Sequence, residues 1–353
     1  MFRASPAGLW NAPHARGVIR ALMLAAIVVL SLLPSIASAQ PLLTLEKTIP
    51  LPAIGAGDFD HFAVDLRRHK LFLAAEAHGT IETFDLRTGA HLQSARGVVM
   101  PHAFALVPDR DELFVADGGD GAVKVFDATT LHRIARIPLA ADPDGGVYDP
   151  ATRLFYVGNG GRAAHQDHSY VSVISVDRRA VVGRIRVPGT TIKGMVIDHR
   201  RGRLYVSVRD RSVVEVIDLR RRAVVATYSS PYLHANAPIG VDLAAQRLFV
   251  PGRKPNTLVV LRARDGATLQ HLPTVATADD LTVDTLHRRL YISGSSGLDV
   301  YTENPAGRYA LAEHLDTLGG KTSFYVPSQE RFYVAHSRTA APSSGLQIYR
   351  VNP

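Results

Sequence analysis

The sequence predicts an all-β fold built from seven repeated antiparallel sheets, and three observations lead to this prediction. The first is a sequence motif that recurs seven times, in which an apolar strand and a short polar turn precede a Leu-aromatic-Val strand. The second is a strand of alternating apolar and polar residues that follows each copy. The third is the composition. The 353 residues are 46% apolar and 20% charged, which is typical of a globular protein with a sizeable core.

The seven copies recur at a nearly constant spacing. Their anchor residues, in the second strand of each copy, are Leu71, Leu113, Leu154, Leu204, Leu248, Leu290 and Phe332. Successive anchors lie 41 to 50 positions apart, and the longest step follows Leu154. Such a period, with four strands in each repeat, is typical of a β-propeller blade. We therefore expect a seven-bladed β-propeller whose blades contain strands A to D, counted outward from the central axis.

The order of the strands predicts how the ring closes. The third strand of each copy alternates apolar and polar residues, as in residues 81–85 and 214–218, so one face should be buried. A fourth strand follows in most copies, but the seventh copy has none. The segment that starts at Leu42 resembles a fourth strand, and we expect it to complete the last blade and remove two exposed edges. The alternative is a loose N-terminal tail.

The first 39 residues have the plan of a secretory signal peptide. Arg16 and Arg20 precede an apolar run at residues 21–33, and small residues at 37–39 stand before Gln40. The run is shorter than the about 20 residues that span a bilayer, and the alternative is an uncleaved anchor. We expect a periplasmic or secreted protein with a signal peptide at residues 1–39, one propeller domain at residues 40–353, and no membrane span after cleavage.

The residue types that the chain lacks exclude several kinds of site. There is no cysteine, which excludes disulfides, iron–sulfur clusters and cysteine-based zinc sites. The one tryptophan, Trp10, lies in the expected signal peptide, so the mature chain would lack the Trp-Asp signature of WD40 blades. The formal charge of +8 is modest and does not by itself indicate nucleic-acid binding, which would need a clustered basic stripe.

The repeated motif resembles a known propeller repeat. Residues 195–207, MVIDHRRGRLYVS, followed by VEVID at residues 214–218, resemble the YVTN β-propeller repeat. Over residues 42–353 the chain is similar to exported YncE-like seven-bladed propellers. The resemblance implies the fold and leaves the function open, because some such proteins resemble binding proteins, including one associated with single-stranded DNA. Related propellers are lactonases, lyases or amine-dehydrogenase subunits, and fold alone does not decide among these.

The starts of the A strands form the candidate ligand site. In a propeller the D-to-A and B-to-C loops emerge on one face, around the mouth of the central channel. Seven polar residues should converge there: Asp60, His61, His102, Asp144, Lys193, Asp280 and Lys321. Such convergence perturbs pKa values and suits a small polar or anionic ligand. Lys193 and Lys321 could hold an anionic group between them. The alternative is a channel filled with unspecific water.

Three functions fit these residues, in decreasing order of support. The first is a non-enzymatic binding propeller for a small polar or anionic ligand, or for a periplasmic protein partner. The second is a lactonase- or lyase-type enzyme with His61 or His102 as general base beside a carboxylate or a divalent metal. No cofactor is predicted, and no ligand-spacing motif supports the metal. The third is single-stranded nucleic-acid binding, which requires stacking aromatics; the loops offer only Tyr170 and Tyr232.

Overall fold

The computed structural model describes Met1, residues 40–339 and residues 341–353. The predicted signal peptide, residues 1–39, therefore lies outside the described residues except for Met1. Across the described residues the chain forms 28 strands and two short 3-10 turns, Glu76–His78 and Pro327–Gln329. None of its described helical segments has the length and apolarity needed to cross a membrane.

The strands follow one another in groups of four. Strand β1 is Leu43–Leu51. Blade 1 contains β2 (Phe62–Asp65), β3 (Lys70–Ala75), β4 (Thr80–Asp85) and β5 (His91–Ala95). Blade 2 contains β6 (Pro101–Val107), β7 (Glu112–Asp117), β8 (Ala122–Asp127) and β9 (Arg133–Pro138). Blade 3 contains β10 (Pro143–Asp149), β11 (Leu154–Asn159), β12 (His168–Ser175) and β13 (Ala180–Pro188).

The remaining blades repeat this pattern. Blade 4 contains β14 (Ile192–Asp198), β15 (Arg203–Val208), β16 (Val213–Asp218) and β17 (Ala223–Tyr228). Blade 5 contains β18 (Gly240–Asp242), β19 (Arg247–Arg253), β20 (Asn256–Arg262) and β21 (Thr268–Pro273). Blade 6 contains β22 (Asp280–Asp284), β23 (Arg289–Gly294), β24 (Gly297–Glu303) and β25 (Tyr309–Leu315). Blade 7 contains β26 (Thr322–Val326), β27 (Arg331–His336) and β28 (Ser344–Val351), with β1 as its fourth strand.

The structure confirms the predicted seven-bladed propeller and its closure. Each blade is a four-stranded antiparallel sheet in which neighbouring strands follow the chain order, except that β1 pairs with β28 in blade 7. The pairing runs from Leu43 opposite Val351 to Leu51 opposite Ser344. Leu43 and Leu51 are each only 2% exposed and pack into the separate cores on either side of blade 7, so β1 joins the first segment of the ring to the last.

A bulge at a fixed position shows that β1 is a genuine D strand. In all seven blades the pairing of strands C and D shifts by one residue. In blade 1 the shift falls between Thr83 and Phe84, and in blade 7 it falls between the equivalent Ile348 and Tyr349. A bulge inserts an unpaired residue and strengthens the local twist. The extra residue in β1 is Glu46.

The residue just before the bulge pair in each C strand, equivalent to Glu82 of blade 1, is the second repeated feature. In six blades a buried polar side chain occupies this position. These side chains are Glu82, Lys124, Ser172, Glu215, Asp299 and Gln347. Glu215 accepts hydrogen bonds from Arg211 at 2.6 Å and from Thr227, on the neighbouring D strand, at 2.7 Å. Because a buried carboxylate needs partners, these bonds help to fix strand D against strand C.

Candidate functional site

The starts of the A strands surround a cavity of about 550 Å³. This volume lies within the range of small-molecule sites, roughly 300–1,000 Å³. Among the described residues, six acidic and six basic side chains line it, and every blade contributes at least one. They are Asp58, Asp60, Glu76, Asp144, Asp279 and Asp280, with His61, His102, Lys193, Arg209, Arg253 and Lys321. Apolar side chains from the same strands, including Phe62 and Phe324, form part of the wall.

All seven residues predicted from the repeat line this one cavity. Four of them, His102, Asp144, Lys193 and Asp280, lie within A strands. The other three, Asp60, His61 and Lys321, lie just before such a strand. Their convergence follows from the ring itself, because each blade directs the start of its first strand toward the axis. Whether they bind a ligand stays a prediction.

Asp60 lies between two imidazoles. Its Oδ2 is 2.6 Å from Nδ1 of His102, in the neighbouring blade, and its Oδ1 is 3.5 Å from Nε2 of His61. The other ring nitrogen of His61, Nδ1, lies 3.6 Å from a carboxylate oxygen of Asp280. Asp280 is itself held in place, since it accepts a 2.8 Å hydrogen bond from the backbone N–H of Ser323.

These contacts set the protonation of the cluster. Burial would raise the pKa of Asp60, but the charge of His61 and the hydrogen bond with His102 hold it well below its usual range. Burial would lower the pKa of each histidine, but Asp60 and Asp280 raise that of His61 to about 10. Asp60 likewise raises the pKa of His102 to about 9. Both imidazoles therefore keep their protons at neutral pH, and the role of general base predicted for them does not fit this geometry.

The cavity lysines are paired rather than free. Lys193 of blade 4 forms an ion pair with Asp144 of blade 3. Lys321 of blade 7 lies 2.8 Å from Asp58 and 3.3 Å from Asp279. The two lysines that the sequence analysis expected to hold an anion between them thus each contact carboxylates. A ligand anion would have to compete with these carboxylates or use another cation.

A glycine allows His102 to reach Asp60. His102 is 5% exposed, and its ring lies against Gly118 in the B-to-C loop of blade 2. A Cβ at position 118 would come within 2.9 Å of the His102 Nε2, closer than such contacts allow. The adjacent Asp117 fixes this loop by accepting backbone hydrogen bonds from Val99 and Met100 at 2.9 and 2.8 Å.

Four titratable cavity residues come from loops and were not among the predicted site residues: Asp58, Glu76, Arg209 and Asp279. Glu76 lies in the 3-10 turn after β3, and Arg209 follows β15. Burial, together with the charges of Asp60 and Asp58, raises the pKa of Glu76 to about 6, although His102 opposes the shift. Burial lowers the pKa of Arg209. The repeat already places Glu76 and Arg209 in B-to-C loops, on the same face as the A-strand starts, although neither was named as a site residue.

One group of side chains has the spacing of a metal site. Asp60, Glu76 and His102 each offer a ligand atom, and these atoms lie within 4.8 Å of one another. Two carboxylates and an imidazole suit zinc or manganese. However, His102 and both oxygens of Asp60 already take part in contacts within the cluster. A metal would therefore have to displace a proton from His102.

The opposite face differs from this cavity. Its A-to-B turns carry arginines that pair with neighbouring carboxylates, as Arg67 does with Asp111 at 3.0 Å. Tyr170 and Tyr232, the aromatics expected of a nucleic-acid site, do not line the cavity. Tyr232 stacks instead on His271, with ring centroids 3.6 Å apart.

Two solved structures resemble the chain over most of its length. A structure of Kuenenia stuttgartiensis hydrazine synthase has a TM-score of 0.72 and 16% identity, and the match covers 90% of this chain and 99% of that chain. A crystal structure of the mitotic checkpoint complex has a TM-score of 0.73 and 13% identity, and the match covers 100% of both chains. No protein-family profile and no curated protein matches the chain. Identities this low show the propeller fold alone, so the YVTN and YncE-like resemblance stays a prediction.

Proposed function

We propose that this chain is an exported propeller that binds a small polar ligand bearing an anionic group at its channel mouth, without catalysing a reaction. The observation that carries the proposal is the convergence of twelve titratable side chains from all seven blades on one cavity of about 550 Å³. A concave space of this volume that is lined by charged side chains recognises a small solute better than it recognises a flat protein surface. The plan of residues 1–39 supports export, and so does the resemblance to exported YncE-like propellers.

The charges of the cavity define the kind of ligand. At neutral pH the six bases, including the two protonated histidines, offset the six acids. A strongly anionic or cationic ligand would therefore meet as many repulsive as attractive groups. A ligand with an anionic group and further polar groups fits this balance better.

A thermal-shift screen of small polar compounds tests the proposal. Stabilising compounds should lose their effect in Lys321→Ala and Asp60→Asn, which change the cavity, and keep it in Arg201→Ala, which changes the opposite face. If the shift is retained in both cavity variants and lost in Arg201→Ala, the ligand binds the opposite face and the proposal is wrong. Mass spectrometry of the exported protein tests the expected new N-terminus at Gln40.

The metal-like cluster favours a second candidate, a metal-assisted hydrolase or lyase. Asp60, Glu76 and His102 would hold the ion, which would polarise a substrate oxygen or activate a bound water. This version requires a bound divalent ion beside Asp60 and His102, and metal analysis of the purified protein distinguishes it from the first.

A further inference from the structure

Two opposite charges in the cavity are left without a partner. Ten of its twelve titratable side chains have an oppositely charged group within 4.0 Å. Within the described part of the chain, Glu76 and Arg209 make no ion pair and no side-chain hydrogen bond. An unpaired charge that is partly removed from water costs free energy unless another group compensates it. A bound ligand is the natural source of that compensation.

Arg209 is held in place by its backbone rather than by its side chain. Its N–H donates to the carbonyl of Thr191 at 2.9 Å. The next residue, Asp210, accepts hydrogen bonds from the N–H groups of Thr190 and Thr191, both at 2.9 Å. These bonds fix the backbone of Arg209 at the cavity wall, and the Nε of its side chain is buried without a hydrogen-bond partner. An unpaired guanidinium suits a carboxylate, which it can bind through two parallel hydrogen bonds.

Glu76 is positioned in a comparable way. It begins the 3-10 turn Glu76–His78, which ends at Gly79 in the left-handed conformation. The turn is tied to the D-to-A loop by a 3.1 Å hydrogen bond from Ala77 N–H to the carbonyl of Asp58. The carboxylate lines the cavity and stays half-buried. Asp60, Asp58 and Asp144 make the potential around this carboxylate more negative, which favours a positive charge there, although His102, within 4.8 Å, opposes them.

The two groups lie on opposite sides of the ring. Glu76 belongs to blade 1 and Arg209 to blade 4, and three blades is the largest separation that a ring of seven permits. We propose that the channel mouth binds a small zwitterion whose charges are at its two ends, with its carboxylate on Arg209 and its ammonium group on Glu76. This inference rests on the proposed function and adds a ligand class and an orientation to it.

Calorimetric titration with compounds of matched length tests the inference. The probes are ε-aminocaproate, caproate and hexylamine, which carry both charges, the anion alone and the cation alone, with glycine as a zwitterion of adjacent charges. We expect ε-aminocaproate to bind about tenfold or more tightly than each of the other three, because each end adds a charge-assisted hydrogen bond. Equal binding of ε-aminocaproate and caproate would overturn the inference.

Two variants assign the ends. Arg209→Gln should bind ε-aminocaproate no more tightly than the wild type binds hexylamine. Glu76→Gln should bind ε-aminocaproate no more tightly than the wild type binds caproate. Arg96→Gln and Glu330→Gln are the controls, because they remove the same charges from exposed positions outside the cavity. Both should leave the affinity of the protein for ε-aminocaproate unchanged. Wild-type affinity in both cavity variants would overturn the assignment.

The same measurements separate this inference from the proposed function. If compounds from the screen bind and depend on Lys321 while ε-aminocaproate does not bind, the ligand class is wrong and the binding function stands. If neither ε-aminocaproate nor any compound of the screen binds, both are wrong.

Discussion

The Nδ1 atom of His102 lies 2.6 Å from Oδ2 of Asp60, although 42 positions and a blade boundary separate the two residues. The separation is close to one repeat of the sequence, so the two residues occupy equivalent places in adjacent blades. The contact therefore joins the ring at its axis while it fixes the charge of the cavity. Most cavity pairs likewise join side chains of different blades, as Lys193 and Asp144 do across blades 4 and 3.

The first prediction concerns the protonation of His102. An NMR titration of the imidazole should give a pKa near 9 in the wild type, and Asp60→Asn should lower it toward 6.5, the usual value. Because the folded-state pKa lies above the unfolded value, the stabilisation is fully present below about pH 6.5 and is lost as the pH rises through 9. The exposed His132 serves as the internal control. A His102 pKa that is the same in wild type and variant would contradict this account.

The second prediction concerns the closure of the ring. Removal of residues 42–51 from the mature protein should lower the melting temperature by on the order of 10 °C or more, since it opens strand edges and exposes the core beneath β1. Differential scanning calorimetry measures the change. Removal of residues 40 and 41 alone is the control. Equal melting temperatures for the wild type and the longer deletion would mean that β1 does not hold the blade together.

The third prediction concerns the buried polar position of the C strands. Glu215→Gln removes a charge that Arg211 and Thr227 contact and should reduce the free energy of unfolding by about 1–3 kcal/mol. Glu330→Gln makes the same change at an exposed position and should stay within about 0.5 kcal/mol of the wild type. Chemical denaturation measures both. Equal stability of the two variants would show that the buried network contributes little.

Much of the fold and part of the site could be predicted from the sequence. The repeat fixes which residues start each A strand, and since every blade points that start toward the axis, all seven predicted residues reach one cavity. Pairing could not be predicted, because partners such as Lys321 and Asp58 lie 263 positions apart. The repeat placed Glu76 and Arg209 in loops on the correct face but not inside the cavity, because loop conformation depends on hydrogen bonds such as those of Asp210 and not on strand periodicity.

The fourth prediction concerns metal. Removal of divalent ions with a chelator should leave the affinity for compounds found in the screen unchanged, because the oxygens of Asp60 are already engaged by His61 and His102. Elemental analysis before and after treatment, with calorimetry on both samples, measures this. One tightly held ion per chain, whose loss abolishes binding and which is absent from Glu76→Gln, would favour the enzymatic candidate.

A crystal structure of the protein with the most strongly stabilising compound tests the central claim most directly. We expect electron density for the compound inside the cavity of about 550 Å³, with its anionic group in contact with Arg209. The opposite face offers a competing recess of about 290 Å³, lined by Arg201, Arg203 and Tyr205 among others. Density in that recess, with the channel mouth empty, would contradict the claim that the A-strand starts form the functional surface.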